Sequence, residues 1–492
     1  MHSRIEMRNF QKTIFREKDS VVKQKKLTQE ISEVFHGETT MGDGDMDEFF
    51  KHETLSHPPS LSKHGKIRSG EKSDLIPCLK DLVIDSELPP DTPDVDGLVI
   101  EGAVIVNQLK PENGQSFTRY ASETIYPYVQ RYKRTTGANR VDIVYDKYLE
   151  KTLKGMTREK RGTGTRRKVT STSTAPSNWK GFLRVDENKT ELFRFLSLEI
   201  YKLSEGIIIS AFDGTVTSQQ NDNVEYISPT DHEEADTRVF LHVNDMSRKG
   251  ITRVMIRTVD TDVFLLAVSL YDSLNLEQLW IDFASGKQRC YLPIHEMVLD
   301  PLKRNGLRFF FAFTGCDQVS FFAHVSKATA WKIWTLYPDV SEAFAMLSNR
   351  PSDEDIETSL PLLERFVVLL YHRTSNCDDV NSCRRELFCN GRAIDNIPPT
   401  QDALHQHVRR AAYIGGYVWG SSLLPVMDLP SFETYGWNAD ATPHWTNLPQ
   451  ASKGLQELVK CGCTKGCSGN CKCSRASLPC TELCKCKGTC TR

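Results

Sequence analysis

Short runs of β-branched and other apolar residues recur from about residue 97 onward, with helical patterns between several of them. The runs are GLVIEGAVIV at 97–106, RVDIVYD at 140–146, GIIISAF at 206–212, RVMIRTVD at 253–260 and QLWIDF at 278–283. The sharpest helical pattern follows SPTDHEEADTR at 228–238. Thr230 or Asp231 is placed to cap it, Ala235, Val239, His242, Val243 and Met246 share one face, and Gly250 ends it. Strands alternating with helices predict an α/β domain with a mainly parallel sheet.

Beyond the run LRFFFAFTGCDQVSFFAHVSKATAWKIW, residues 352–425 read as helical throughout. Ser352 and Asp355 form a capping-box pattern, and Ile356, Leu360, Leu363, Val367 and Leu370 fall at helical spacing. A second helix is entered through Pro399 and capped by Thr400. The phenylalanines from Phe309 to Phe313 read as core packing. The expected organisation is a loosely ordered arm over 1–96, an α/β domain over 97–345, a helical extension over 352–425, an aromatic and Pro-rich connector over 426–458, and a cysteine-rich module over 459–492.

A chain of 492 residues with a net charge of −2 holds enough sequence for two or three domains, and its overall charge does not favour nucleic acid. Distribution says more: the stretch from Lys147 to Val169 and the C-terminal tail are both basic. No apolar run approaches the roughly 18 residues of a membrane span. The polar start MHSRIEMRNFQK lacks the apolar stretch of a secretory signal, so a reducing, cytosolic or nuclear compartment is expected.

The 15 cysteines are unevenly spread. Cys78, Cys290, Cys316, Cys377, Cys383 and Cys389 are scattered, whereas Cys461, Cys463, Cys467, Cys471, Cys473, Cys480, Cys484, Cys486 and Cys490 crowd the C-terminus. An odd count in a reducing compartment disfavours disulfides. The C-x-C and x3 spacings suit tetrahedral zinc with Zn–S bonds of about 2.3 Å, and three bridging thiolates would let nine cysteines satisfy three ions. Lys460, Lys465, Lys472, Arg475, Lys485, Lys487 and Arg492 offset the cluster's negative charge, against one acid, Glu482. With few large apolar residues, this segment is expected to fold only on binding zinc. The array from Cys461 to Cys490 resembles the CXC cysteine-rich domain of the tesmin/TSO1-like family, whose members bind DNA. That resemblance implies a DNA partner, with Lys460, Lys465 and Lys472 beside phosphate, and a nuclear location.

Acids stand where the apolar strands stop. Glu101 lies within the first run, Asp146 ends the second, Glu234 and Asp236 occupy the start of the helix after Thr230, Asp260 and Asp262 follow the fourth run, and Asp317 follows FTGC. The carboxyl ends of parallel strands are where α/β active sites form, and carboxylate oxygens suit magnesium or manganese. The ordered series VIEG, VYDK, EEAD, VDTD and TGCD resembles the acidic signature of the PIN-like nuclease fold, in the branch that includes flap endonucleases. Glu101 stands where that family's first strand carries aspartate, and the other six acids match its positions. The resemblance implies a PIN-like parallel sheet flanked by helices and phosphodiester cleavage with two divalent ions. It also implies a basic DNA-gripping region, here Arg158, Lys160, Arg161, Arg166, Arg167 and Lys168.

Other candidates are weaker. Cys377, Cys383 and Cys389 read as ordinary structural thiols. Cys316 has no identified base, and His232 reads as a satisfied histidine at a helix start. His405 and His407 are two apart on a helix and cannot share a metal. Two functions fit: a DNA-associated nuclear nuclease, structure-specific if active, or a non-catalytic DNA- or chromatin-binding protein on an inactive PIN-like scaffold.

Overall fold

The computed structural model describes residues 50–447 apart from 54, 56, 64, 84–88, 90, 149–152, 154–163, 204–206, 218–222 and 285, together with Gly462, Lys485 and Cys486. Each of the five β-branched runs contains a strand, although the first turns into a helix at Gly102, and LRFFFAF ends a helix. β1 (Gly97–Glu101), β2 (Arg140–Val144), β3 (Ile207–Phe212), β4 (Thr215–Thr217), β5 (Arg253–Thr258), β6 (Gln278–Phe283) and β7 (Cys290–Pro293) form one sheet in the order β4-β3-β2-β1-β5-β6-β7. The five central strands are parallel, and each edge is closed by an antiparallel partner. The protein is thus α/β, with a mostly parallel seven-stranded sheet flanked by helices.

The runs carry apolar residues at consecutive positions because both faces are covered, with Arg140, Asp142, Arg257 and Asp282 as buried exceptions. The pleat sends Val99, Val144, Val254 and Ile256 into one core and Leu98, Ile100, Val141, Ile143 and Met255 into the other. Helices α1 (Gly102–Gln108), α2 (Tyr126–Thr136) and α3 (Asp186–Leu203) supply the second core, with Val129, Leu192, Phe193 and Leu196 among its buried residues. The first core takes α4 (Ala235–Arg248), α5 (Thr261–Leu270) and α6 (Pro301–Phe313). All five residues from Phe309 to Phe313 are fully buried there, as expected.

Further long helices are α7 (Lys327–Leu336), α8 (Val340–Leu347), α9 (Asp353–Tyr371), α10 (Val380–Cys389) and α11 (Gln401–Ala412). The Ser352–Asp355 capping box and the Thr400 cap are both present. The expected helical extension has no core of its own, since Ile356, Leu363, Val367, Leu404 and Val408 join the core of the sheet's first face. The connector adds Tyr435, Trp437 and Trp445 to it. The described part of the N-terminal segment also differs from a loosely ordered arm: Leu61, Leu75, Ile76 and Leu79 are buried in that core. Burying these four side chains opposes the entropy of ordering the segment, at about 1.5–3 kcal/mol each.

Helix α4 begins later than its sequence suggests. Asp231 accepts instead from the backbone N–H of Met427 at 2.9 Å, and His232 bonds Thr237 Oγ1 at 2.8 Å and the Leu424 carbonyl at 2.7 Å. Residue 234 is the extended N-cap. The far end agrees with expectation: Gly250 adopts φ +83, and the N–H groups of Gly250 and Ile251 donate to the carbonyls of Ser247 and Met246, each at 3.0 Å. No helix among the described residues is long and apolar enough to cross a membrane.

Candidate metal centre

Strand order sets the site. The chain steps from β1 outward to β2 and β3, then returns to β5 on the other side of β1. The connections leaving β1 and β5 run apart, which opens a crevice at their carboxyl ends. Glu101 ends β1, and Asp260 and Asp262 follow β5 directly.

Local bonding fixes these acids. Asp260 is the N-cap of α5, and its Oδ1 accepts from the N–H of Asp262 at 2.9 Å. Thr258 ties the two strands together: its hydroxyl donates to Glu101 Oε2 at 2.7 Å and accepts from the N–H of Asp260 at 3.0 Å. Asp146, just past β2, accepts from the N–H of Ala235 at 2.9 Å and so meets one of the donors left over at the start of α4. Tyr148 donates to its other oxygen at 3.2 Å. The bond to Ala235 holds the first turn of α4, where Asp236 lies beside the β5 acids.

Asp236, Asp260 and Asp262 each offer a carboxylate oxygen, and these oxygens lie within 4.8 Å of one another. Glu101 lies near enough to feel the charges of Asp236, Asp260 and Asp146. Burial, followed by the charges of Asp236, Asp260 and Asp146, pushes the Glu101 carboxyl well above its ordinary range, which favours the protonated form. Glu234, the residue before α4, is half-buried and is not one of the three converging acids.

Asp317 reaches the group through a residue that sequence reasoning missed. The ammonium of Lys72 lies 3.0 Å from Asp262, 3.3 Å from Asp317 and 3.5 Å from Asp260. Burial alone would push that lysine down, but Asp262, Asp260 and Asp317 outweigh it and hold Lys72 above its usual range. Its segment, expected as part of a loosely ordered arm, is held instead by the buried Leu75, Ile76 and Leu79.

Lys327 was missed as well. It is fully buried, donates to the Phe311 carbonyl at 2.7 Å and to Thr314 Oγ1 at 2.9 Å, and lies over the Phe311 ring. A cation there answers the carbonyls at the end of α6 and supports the turn carrying Asp317. Burial pushes it down to about 7. Burial also pushes the neighbouring Cys316 thiol up to about 11, which disqualifies it as a nucleophile at neutral pH. His232 is spent on Thr237 and Leu424, and burial pushes it down to about 4. His407 bonds the Phe313 carbonyl and His405 faces the Glu357 carboxylate, so the two point to different partners.

Of the basic residues, Arg166, Arg167 and Lys168 are exposed. Arg166 is ion-paired with Glu191, and Arg167 donates through its backbone N–H to Asn188 at 2.9 Å, so this stretch is strapped along α3. Arg158, Lys160, Arg161, Lys460, Lys465 and Lys472 lie outside the described residues, as do Cys461, Cys463, Cys467, Cys471, Cys473, Cys480, Cys484 and Cys490.

The upward push on the Glu101 carboxyl has a measurable consequence. The folded site holds the carboxyl proton more tightly than the unfolded chain does, so stability falls as pH rises above the ordinary carboxyl value of 4.5. Glutamine does not titrate. In chelator, Glu101→Gln is expected to be more stable than the parent at pH 7, with the difference shrinking towards pH 4.5. Each unit of displacement contributes about 1.4 kcal/mol. Urea unfolding at the two pH values measures it, and a difference that grows towards pH 4.5 contradicts this account.

A scan of the chain against protein-family models finds no match, and a search of curated proteins finds no similar one.

Proposed function

We propose that the protein is a DNA-associated, divalent-metal-dependent phosphodiester nuclease whose C-terminal cysteine module binds zinc. The observation that carries the first part is the convergence of Asp236, Asp260 and Asp262 within 4.8 Å at the strand-order switch of the sheet. Oxygens bound at about 2.1 Å on opposite sides of an octahedral ion stand about 4.2 Å apart, so small side-chain movements bring these three into range. The all-oxygen donor set fits magnesium or manganese. When bound, such an ion supplies Lewis acidity at a phosphoryl oxygen and lowers the pKa of bound water. The chain's own residues do the rest: Thr258 orients Glu101, Asp146 anchors α4 so that Asp236 faces the crevice, and the α5 cap sets Asp260 against Asp262. The PIN-like resemblance supports the same reading.

One observation favours a second reading, a non-catalytic DNA- or chromatin-binding protein. Lys72 already neutralises part of the acid cluster, as an inactive scaffold would require. Incubating zinc-loaded protein with labelled single-stranded, duplex and flapped DNA in manganese or magnesium separates them. Cleavage that chelation abolishes supports the nuclease; binding without cleavage of any substrate supports the scaffold.

The nine-cysteine array supports a three-zinc module. Elemental analysis of purified protein is expected to give three zinc ions per chain. Release of zinc by a thiol-modifying reagent is expected to weaken DNA binding, most strongly at low salt, where phosphate contacts count most.

A further inference from the structure

Lys72 does more than balance charge. A surface lysine meeting carboxylates by chance sits on a mobile stem; this one is delivered by a braced segment. Arg68 Nε and Nη2 both donate to the Pro59 carbonyl, at 2.9 and 2.6 Å. The N–H of Phe321 donates to the Arg68 carbonyl at 3.0 Å, and that of Ala323 to the Ser60 carbonyl at 2.8 Å. The segment leading to Lys72 therefore runs beside the loop that follows Asp317.

The Phe321 ring wedges these two stretches together, and both make room for it with glycine. A Cβ at Gly70 would meet the ring at 2.5 Å, closer than packed atoms approach. A Cβ at Gly315 would collide with the same ring, and Gly315 also holds φ +115, a conformation that disfavours any side chain. On the far side of Lys72, Leu75, Ile76 and Leu79 anchor the chain in the core. The ammonium is fixed from both directions, with 19% of the side chain exposed.

The acids divide around it. Asp236, Asp260 and Asp262 converge on one point, while Asp260, Asp262 and Asp317 converge on the ammonium. Asp260 and Asp262 belong to both sets, as ligands bridging two adjacent cations would. We propose that Lys72 permanently occupies the place of a second cation, so that the centre takes one divalent ion, between Asp236 and the Asp260–Asp262 pair, with the lysine as its fixed neighbour. This rests on the metal-site reading given under Proposed function. It makes Lys72 a positioning residue that sets metal stoichiometry and offers a phosphate one immobile positive charge beside one exchangeable ion.

The test is manganese titration of the full-length, zinc-loaded chain, followed by calorimetry and by electron paramagnetic resonance, which detects spin coupling between neighbouring manganese ions. The parent protein is expected to bind one ion at this centre, without coupling. Lys72→Met, of similar length but uncharged, is expected to bind two, with coupling. Adding Asp317→Asn to Lys72→Met is expected to return the count to one, because the second ion loses a ligand. Circular dichroism and thermal melting establish that each variant is folded. If Lys72→Met does not fold in chelator, refolding it in manganese and counting the ions retained gives the same readout.

Two coupled ions in the parent protein would overturn the role of Lys72 while leaving the metal centre standing. One ion in both parent and Lys72→Met would also overturn it. No ion in the folded parent or in any variant would instead overturn the metal-site reading itself.

Discussion

Replacing Asp260 and Asp262 together by asparagine is expected to lower metal-dependent cleavage by at least about 10³-fold while leaving DNA binding intact. Loss of a single group that stabilises developing charge in a reaction costs about 2.7–4 kcal/mol, or roughly 10²–10³ in rate. Here two charged ligands are lost at once, and both belong to the converging trio. The fold tolerates the change because asparagine preserves size and is as good an N-cap as aspartate, so the bond from the N–H of residue 262 and the start of α5 survive. Lys72 keeps Asp317 as a partner. Binding is expected to hold or to strengthen, since negative charge is removed from a surface facing phosphate. Fluorescence anisotropy at two salt concentrations reports binding, and gel analysis of labelled DNA in manganese reports cleavage. Equal cleavage by parent and variant would assign the activity to another site or to a contaminant and would return the acid cluster to a structural role.

The strands and most of these acids were legible because their signals are local. A strand buried on both faces is rich in consecutive apolar residues, and a carboxylate at its end can be seen without knowing the neighbours. What was not legible depends on partners distant in sequence. Helical spacing shows that Ile356, Leu363 and Val367 share an apolar face, but not that this face closes over the same core as Val254 and Ile256. The expected domain boundary near residue 350 therefore marks a change of secondary structure within one continuous core. Thr230 and Asp231 have the chemistry of helix caps, yet the contact of Asp231 with Met427 draws the chain into an extended course up to α4. Lys72 sits in a polar stretch whose nearest apolar signal, Leu75 to Leu79, is too short for periodicity to identify. Its meaning appears only when Asp262, 190 positions away, is placed beside it.

The second large effect lies in the middle of the sheet. Arg140→Met is expected to destabilise the protein by about 3–5 kcal/mol at pH 7, the range for removing one partner from a buried ion pair. Arg140 starts β2 with only 4% of its side chain exposed. It donates to both oxygens of Asp142, at 2.8 and 2.6 Å, and to Asp245 at 2.6 Å, and both acids are fully buried. Asp142 also bonds His242 Nδ1 at 2.7 Å. Burial pushes Asp142 upward, but Arg140 and His242 outweigh it and hold the carboxyl below its ordinary range. An acid lowered in this way contributes stability above its unfolded value, and that contribution is lost as pH falls through the folded value. Without the guanidinium, Asp142 faces burial with only His242, itself driven towards the neutral form by burial, and its carboxyl moves upward. The variant therefore relieves part of its penalty by taking up a proton, so its deficit against the parent is expected to be largest at neutral pH and to shrink as pH falls towards 4. Asp245 retains Lys249 at 3.0 Å, which limits the remaining deficit. Urea unfolding at pH 7 and pH 4 measures both values. A deficit independent of pH would mean that Arg140 acts through packing of its aliphatic stem, whereas the expected narrowing identifies the buried charges as the cause.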